Sequence, residues 1–225
     1  MNQIFYIIAT PIGNLEDITL RAIEALKVSD FIVCEDTRIT SILLNKLNIK
    51  KELLSFNAYN EKNKVDIIVK KIVEGKIGSL VSDAGTPLIC DPGQILINKL
   101  IEKEIKIVSI PGPSALLLAL TLSGFPASSF VFEGFLPLKK GRQKKFLELA
   151  SEEKTIVFYE SPHRVEKTLN ELNEYMPERK IAVCRELTKI YEEVWRGTPA
   201  SILSDFSNKI VKGEFVFVIS PKDWK

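Results

Sequence analysis

Ile4-Phe5-Tyr6-Ile7-Ile8-Ala9-Thr10-Pro11-Ile12-Gly13-Asn14-Leu15 sets the terms on which the rest of the chain is read. The apolar run from Ile4 to Ala9 predicts a strand buried on both faces, and the Pro and Gly that follow stop it in a turn. No basic segment precedes this run, and it is too short for a signal peptide or a bilayer span. The same pattern returns at Phe31 to Cys34, Ile77 to Val81 and Ile105 to Ile110. Between these runs lie helical stripes: Leu20, Ile23, Ala25 and Leu26 after a Thr19 cap, then Val65, Ile68, Val69, Ile72 and Val73. Short buried strands alternating with amphipathic helices predict an α/β fold.

Pro111-Gly112-Pro113 breaks the pattern, a helix of small residues follows, and Gly124-Phe125-Pro126 breaks it again. The domain junction is placed in this stretch, near 111–126, with an N-terminal lobe over 1–113 and a C-terminal lobe over 114–225. In the second half Phe130 to Phe132, Thr155 to Tyr159, Ile181 to Cys184 and Phe215 to Ile219 read as strands. Helices fall near 142–151 and 163–175, and Glu192 to Arg196 suits one more antiparallel strand. The expected architecture is therefore two α/β lobes meeting at a cleft, each a mixed sheet flanked by helices.

A hydrophobic share of 45% against 27% charged residues is a globular balance that excludes disorder. The apolar stretch from Ala115 to Leu122 is far short of a membrane crossing, and a cytoplasmic protein is expected. Three widely spaced cysteines and a single histidine argue against disulfides and structural zinc. The 31 basic and 29 acidic residues nearly cancel, so charge distribution rather than net charge must point to a partner. Phosphate-binding, dinucleotide-binding, nucleophile-elbow and zinc-protease motifs are all missing from the sequence.

Ligands of such sheets bind outside the carboxyl ends of the strands, so the loops there carry the functional reading. They are Thr10-Pro11-Ile12-Gly13-Asn14-Leu15, Glu35-Asp36-Thr37-Arg38, Ser82-Asp83-Ala84-Gly85-Thr86-Pro87 and Pro111-Gly112-Pro113-Ser114-Ala115. Gly85 and Gly112 would let backbone approach a flat ligand, having no Cβ to intervene. Any one of these loops is also explained as ordinary turn chemistry; it is their shared edge that suggests a site.

These blocks resemble, in order, the first-half motifs of the small-subunit ribosomal RNA methyltransferase I family, within the tetrapyrrole methylases. Phe132-Glu133-Gly134-Phe135-Leu136-Pro137, Tyr159-Glu160-Ser161-Pro162-His163-Arg164, Arg185-Glu186-Leu187-Thr188-Lys189 and Lys212-Gly213-Glu214-Phe215 resemble its later motifs. The resemblance implies a two-lobed methylase, usually a homodimer. It also implies S-adenosylmethionine in the cleft and, as substrate, a cytidine 2′-hydroxyl in the decoding region of 16S rRNA, within the small ribosomal subunit. By position it makes Pro11, Asp83, Ala84, Gly85, Thr86, Pro87, Ser114 and Ala115 cofactor-binding, with Tyr159 and Leu187 from the second lobe. Two departures stand out. The family's C-terminal helical extension is expected to be absent, and Asn57-Ala58-Tyr59-Asn60-Glu61 stands where relatives tend to carry histidines.

Methyl transfer from a sulfonium needs alignment of the reacting atoms, a dry site and help in removing the hydroxyl proton; it needs no metal. Arg185, Glu186 and Lys189 offer that help, with Glu186 or Lys189 as base and the lysine's pKa lowered beside the arginine. The same three side chains equally suit a structural ion-pair set. Asp36 is either catalytic or a helix cap, and Arg38 a phosphate ligand. Lys139, Lys140, Arg142, Lys144 and Lys145 form the densest basic segment, an RNA-backbone candidate that Arg164 would extend; a solvated helix start is the plainer account. His163, the lone histidine, is expected to be solvated or structural. A tetrapyrrole C-methyltransferase gives the basic segment no purpose, and a non-catalytic binder of RNA or cofactor would bind the cofactor without turnover.

Overall fold

The computed structural model describes residues 3–57 and 59–224, and Met1, Asn2, Ala58 and Lys225 lie outside the described residues. The chain divides into two compact units, Met1–Ser114 and Ala115–Lys225.

The first unit runs β1 (Ile4–Ile8), α1 (Leu20–Val28), β2 (Phe31–Cys34), α2 (Thr37–Lys46), β3 (Glu52–Ser55), α3 (Glu61–Val73), β4 (Gly78–Val81), α4 (Gln94–Glu102) and β5 (Lys106–Ile110). Its sheet has the order β3-β2-β4-β1-β5. Every pairing in it is parallel, where a mixed sheet was expected in each lobe. The uniform direction follows from the helix that returns the chain after each strand. On one face Phe5, Phe31 and Leu80 pack with Ile68, Ile72, Leu96 and Leu100 of α3 and α4. On the other, Ile8, Ile32 and Val81 pack with Ala22 and Leu26 of α1 and Leu44 of α2. Gly78 is fixed by this packing, since a Cβ there would lie 2.6 Å from the Phe31 ring. β1 and β4 are neighbours whose connections leave to opposite faces, so the sheet's switch in winding lies at their carboxyl ends.

The sequence patterns anticipate β1, β2, β4 and β5, and the Thr19 cap, whose hydroxyl accepts from Ala22 N at 3.1 Å. They miss β3. Glu52-Leu53-Leu54-Ser55 is a short edge strand without β-branched residues, and only its partner β2 makes it one.

The second unit runs α5 (Ala115–Ser123), β6 (Phe130–Phe135), α6 (Arg142–Ser151), β7 (Thr155–Glu160), α7 (Val165–Tyr175), β8 (Ile181–Arg185), β9 (Glu193–Gly197), α8 (Pro199–Ser204) and β10 (Phe215–Ile219). Its sheet, β6-β7-β10-β8-β9, is mixed: β6 pairs parallel with β7 and the rest are antiparallel. Phe158 and Phe217 stack at 5.1 Å in its core, against side chains of α6, α7 and α8. β6 bulges between Phe132 and Phe135, with Gly134 at φ +60°, and the bulge leaves Phe135 exposed.

Phe158→Ala is expected to cost about 3–5 kcal/mol, the usual price of an aromatic removed from a closed core. Both tryptophans, Trp195 and Trp224, lie in the second unit. Denaturant unfolding followed by tryptophan fluorescence should therefore show the transition at lower denaturant; an unmoved transition would contradict the packing described.

Candidate functional site

In the first unit the loops leaving β1, β2, β4 and β5 are tied to one another. Thr10 and Gly85 form an isolated antiparallel bridge, Thr10 N donating to Gly85 O at 2.9 Å and Gly85 N to Thr10 O at 3.0 Å. The Thr10 hydroxyl donates to Ser82 O at 3.1 Å, and the Ser82 hydroxyl to Gly85 O at 3.1 Å. Thr86 Oγ1 donates to Pro113 O at 3.1 Å, bringing in the β5 loop. Asp36 N donates to Asp83 Oδ1 at 3.1 Å, bringing in the β2 loop.

Two glycines make this approach possible. Gly85 sits at φ +81°, in the left-handed region, and a Cβ on Gly112 would stand 2.9 Å from that of Ala9. Among the expected cofactor positions Asp83, Gly85, Thr86 and Pro87 are thus parts of one linked structure, with Ala84 exposed at its tip. Pro11 follows Thr10 half-buried, Ser114 ends the first unit, and Ala115 opens α5.

The edge is acidic. Asp36 caps α2, accepting from Arg38 N at 2.8 Å, and its carboxylate also accepts from Arg38 Nε at 3.0 Å. Those bonds hold its pKa down at about 2. Asp36 is thus a helix cap and the ion-pair partner of Arg38. Burial raises the pKa of Asp83, and burial followed by repulsion from Asp83 and Asp36 raises that of Glu35. Asp91, which the sequence did not single out, is pushed up to about 6 by burial and then by Glu35 and Asp83. It lines a small cavity with Ser82, Pro87 and Phe56. Four carboxylates with Arg38 as their cationic neighbour suit a ligand that brings positive charge.

A groove of about 430 Å³ between α1 and β5, walled by Tyr6, Leu20, Val28 and Val108, includes none of these loop residues. Among the described residues no group of three or more His, Cys, Asp or Glu side chains is set to hold a metal ion, and no helix is long and apolar enough to cross a membrane.

In the second unit the ends of β7 and β8 flank the start of β10, and the end of β6 lies on the far side of β7. Arg185 is buried there, Nε donating to Lys212 O at 2.8 Å and Nη1 to Tyr191 O at 3.1 Å. Glu186 Oε1 accepts from Glu214 N at 3.0 Å and Lys189 Nζ at 2.9 Å, and Lys189 also reaches Glu214 Oε2 at 2.9 Å. Glu186 and Thr188 both have positive φ, at 51° and 64°, an uncommon backbone that this bonding holds in place. A Cβ on Gly213 would overlap the Glu186 carboxylate.

The lowered lysine pKa expected here is reversed. Burial alone would lower Lys189, but the bonds from Glu214 and Glu186 outweigh it and hold the ammonium above its ordinary value. Glu186 moves the other way: burial would raise it, yet Lys189 and the Glu214 amide bring it down. Leu187 is buried, and Tyr159 packs edge-on against Phe132 at 5.1 Å.

The basic segment divides in two. Lys139 and Lys140 are exposed and in no ion pair among the described residues, and Lys144 is exposed, 3.8 Å from Glu148. Arg142 is only 3% exposed and bonded to Glu171, so no face is left for a phosphate. Arg164 is taken up by Glu160 at 2.6 Å, and Lys145 by Glu133 and Glu148, both at 3.1 Å. These three are corrections to the expected RNA set, because the carboxylates that consume them come from residues distant in sequence or a helical turn away. His163 is exposed, as a solvated side chain would be.

Residues 5–203 match the family model described as Tetrapyrrole (Corrin/Porphyrin) Methylases. The chain belongs to that family. Within it, the chain is 46% identical over 217 residues to the Ribosomal RNA small subunit methyltransferase I of Thermotoga maritima, covering 96% of this chain and 98% of that protein. It is 43% identical to the protein of the same name from Halalkalibacterium halodurans, covering 95% of this chain and 74% of that one. Among solved structures, a uroporphyrin-III-C-methyltransferase from Thermus thermophilus matches with TM-score 0.68 at 19% identity, over 97% of this chain and 94% of the other. A cobalt precorrin-4 methyltransferase matches with TM-score 0.70 at 19% identity, over 96% and 94%. Those two likenesses show the tetrapyrrole methylase fold.

The folded pKa of Asp91, about 6, lies above the ordinary carboxylate value, so the folded state holds its proton longer than the unfolded one. Its contribution to stability is present at acid pH and lost as pH rises through about 6. Asp91→Asn should accordingly raise the melting temperature at pH 7 and lose that advantage at pH 4; a gain that does not vary with pH would contradict the assignment.

Proposed function

We propose that this chain transfers the methyl group of S-adenosylmethionine to the 2′-hydroxyl of a cytidine in 16S rRNA, acting on the small ribosomal subunit in the cytoplasm as a homodimer. The observation that carries the reading is the interlocked acidic loop edge of the first unit, in a chain 46% identical over nearly its whole length to a protein named for small-subunit rRNA methylation. The donor set fits the cofactor: its ammonium and sulfonium are cationic, and Asp83, Glu35 and Asp91 are carboxylates on one edge. When bound, S-adenosylmethionine supplies an electrophilic methyl.

The chain's own groups then have distinct tasks. Asp83 faces the cofactor's positive charge, and the backbone at Gly85 and Gly112 admits its flat base. In the second unit Glu186 is the stronger proton-acceptor candidate, since it is the ionised member of the pair and Lys189 is the protonated one. Lys189 and the Glu214 amide hold that carboxylate in place, and the Lys189 ammonium would stabilise the negative charge that develops on the ribose oxygen. Lys139, Lys140, Lys144 and Arg38 remain exposed cations for RNA phosphates, a contact that weakens with salt.

Calorimetric titration should show S-adenosylmethionine binding, with Asp83→Asn weaker by about tenfold, or ~1.4 kcal/mol. Glu186→Gln should lower kcat on small subunits by about 10²-fold with little change in cofactor affinity. Absence of cofactor binding would overturn the proposal, and parallel losses of binding and turnover in Glu186→Gln would remove that residue from the proton-transfer role.

A further inference from the structure

Two guanidiniums hold the chain where it leaves β6. Arg142 Nη1 donates to Pro137 O at 2.9 Å, and Arg164 Nη1 donates to the preceding carbonyl, Leu136 O, at 3.0 Å. Each is compensated from behind. Arg142 donates through Nε and Nη2 to Glu171 Oε2, at 2.9 and 2.6 Å. Its Nη2 also donates to Thr168 Oγ1 at 2.7 Å, and that hydroxyl donates on to Glu160 Oε2 at 2.8 Å. The other oxygen, Glu160 Oε1, lies 2.6 Å from Arg164 Nη2. Arg142 is 3% and Glu160 2% exposed, so the link between the two arginines is buried.

A buried ionic set is a poor device for stability alone, because desolvation cancels most of the attraction and apolar side chains of like volume would serve as well. What it supplies is geometry. Two consecutive carbonyls are each gripped by a different arginine, one from the start of α6 and one from just before α7. The next residues, Leu138, Lys139 and Lys140, are exposed, and Gly141 at φ +81° turns the chain into α6. The free ammonium groups thus stand on a short loop whose both ends are fixed: the first by the two carbonyl contacts, the second by Arg142 itself.

We infer that Arg142 and Arg164, linked through Glu160, Thr168 and Glu171, are positioning residues that preorganise the Lys139-Lys140 loop for an RNA phosphate backbone. The inference rests on the RNA reading given above. Holding the loop in advance removes the ordering cost that a flexible lysine-bearing loop would meet on binding. Neither arginine touches the RNA.

Glu171→Gln leaves every trypsin site in the sequence unchanged and removes the nearer of the two carboxylate charges beside Arg142, at 2.6 Å, the other being Glu160 Oε2 at 3.6 Å. In this variant limited trypsin digestion should cut after Lys139 or Lys140 about tenfold faster than in the wild type. KM for small subunits should rise by about five- to tenfold, with kcat and S-adenosylmethionine affinity within about twofold. Arg142→Lys keeps the charge but not the fork, and it reads the same quantities if Glu171→Gln does not fold. Unchanged cleavage, or faster cleavage with unchanged KM, overturns the inference. Lys139→Ala with Lys140→Ala tests the underlying reading separately: KM should rise and its salt dependence flatten. If that double variant behaves as wild type, the loop does not meet RNA at all; if it fails while Glu171→Gln does not, the loop binds but is not positioned by the buried set.

Discussion

The pairing of Thr10 with Gly85 is the constraint on which the first unit's candidate edge depends. Two loops from adjacent parallel strands exchange both backbone hydrogen bonds outside the sheet, so they behave as an extension of β1 and β4 rather than as free connections. Ser82, Thr10 and Thr86 hydroxyls then fasten that extension to its own turn and to the β5 loop. The result is a surface of rigid backbone with little side chain in the way, and it exists because Gly85 takes a left-handed conformation and Gly112 passes against Ala9. Carboxylates gather around it at a cost, since several have their pKa raised by burial and by one another. A cationic ligand would relieve that repulsion.

Much of this was legible in the chain itself. An uninterrupted apolar run ending in Pro and Gly announced β1, a shorter run before Ser82-Asp83-Ala84-Gly85 announced β4, and the alternation with helical stripes announced the α/β class. β3 stayed hidden because Leu53 and Leu54 carry no strand preference of their own; tertiary pairing with β2 decides it. That the first sheet is wholly parallel follows from the same alternation of buried strand and returning helix, a consequence that the expectation of a mixed sheet did not carry through. The loop blocks do converge on one edge, as expected, but Asp91 did not stand out: its burial beside Glu35 and Asp83 comes from the fold of the 82–93 segment.

Charge shows the limit of sequence reading most plainly. Lys139 to Lys145 reads as one basic patch, yet a cation's availability depends on whether an acid from elsewhere has claimed it. Glu171 from α7 claims Arg142, Glu133 from β6 claims Lys145, and Glu160 from the end of β7 claims Arg164. Glu214, twenty-five residues away in sequence, likewise keeps Lys189 protonated instead of leaving it a base. The partners were written in the motifs around Tyr159-Glu160-Ser161 and Lys212-Gly213-Glu214, where an acid ends or opens an apolar strand.

The most direct measurement is nucleoside mass spectrometry of small-subunit RNA after incubation of the purified chain with isotopically labelled S-adenosylmethionine and subunits from a strain lacking the gene. The account predicts labelled 2′-O-methylcytidine. Cofactor binding with no labelled nucleoside, or label on a base instead of a ribose, would contradict it.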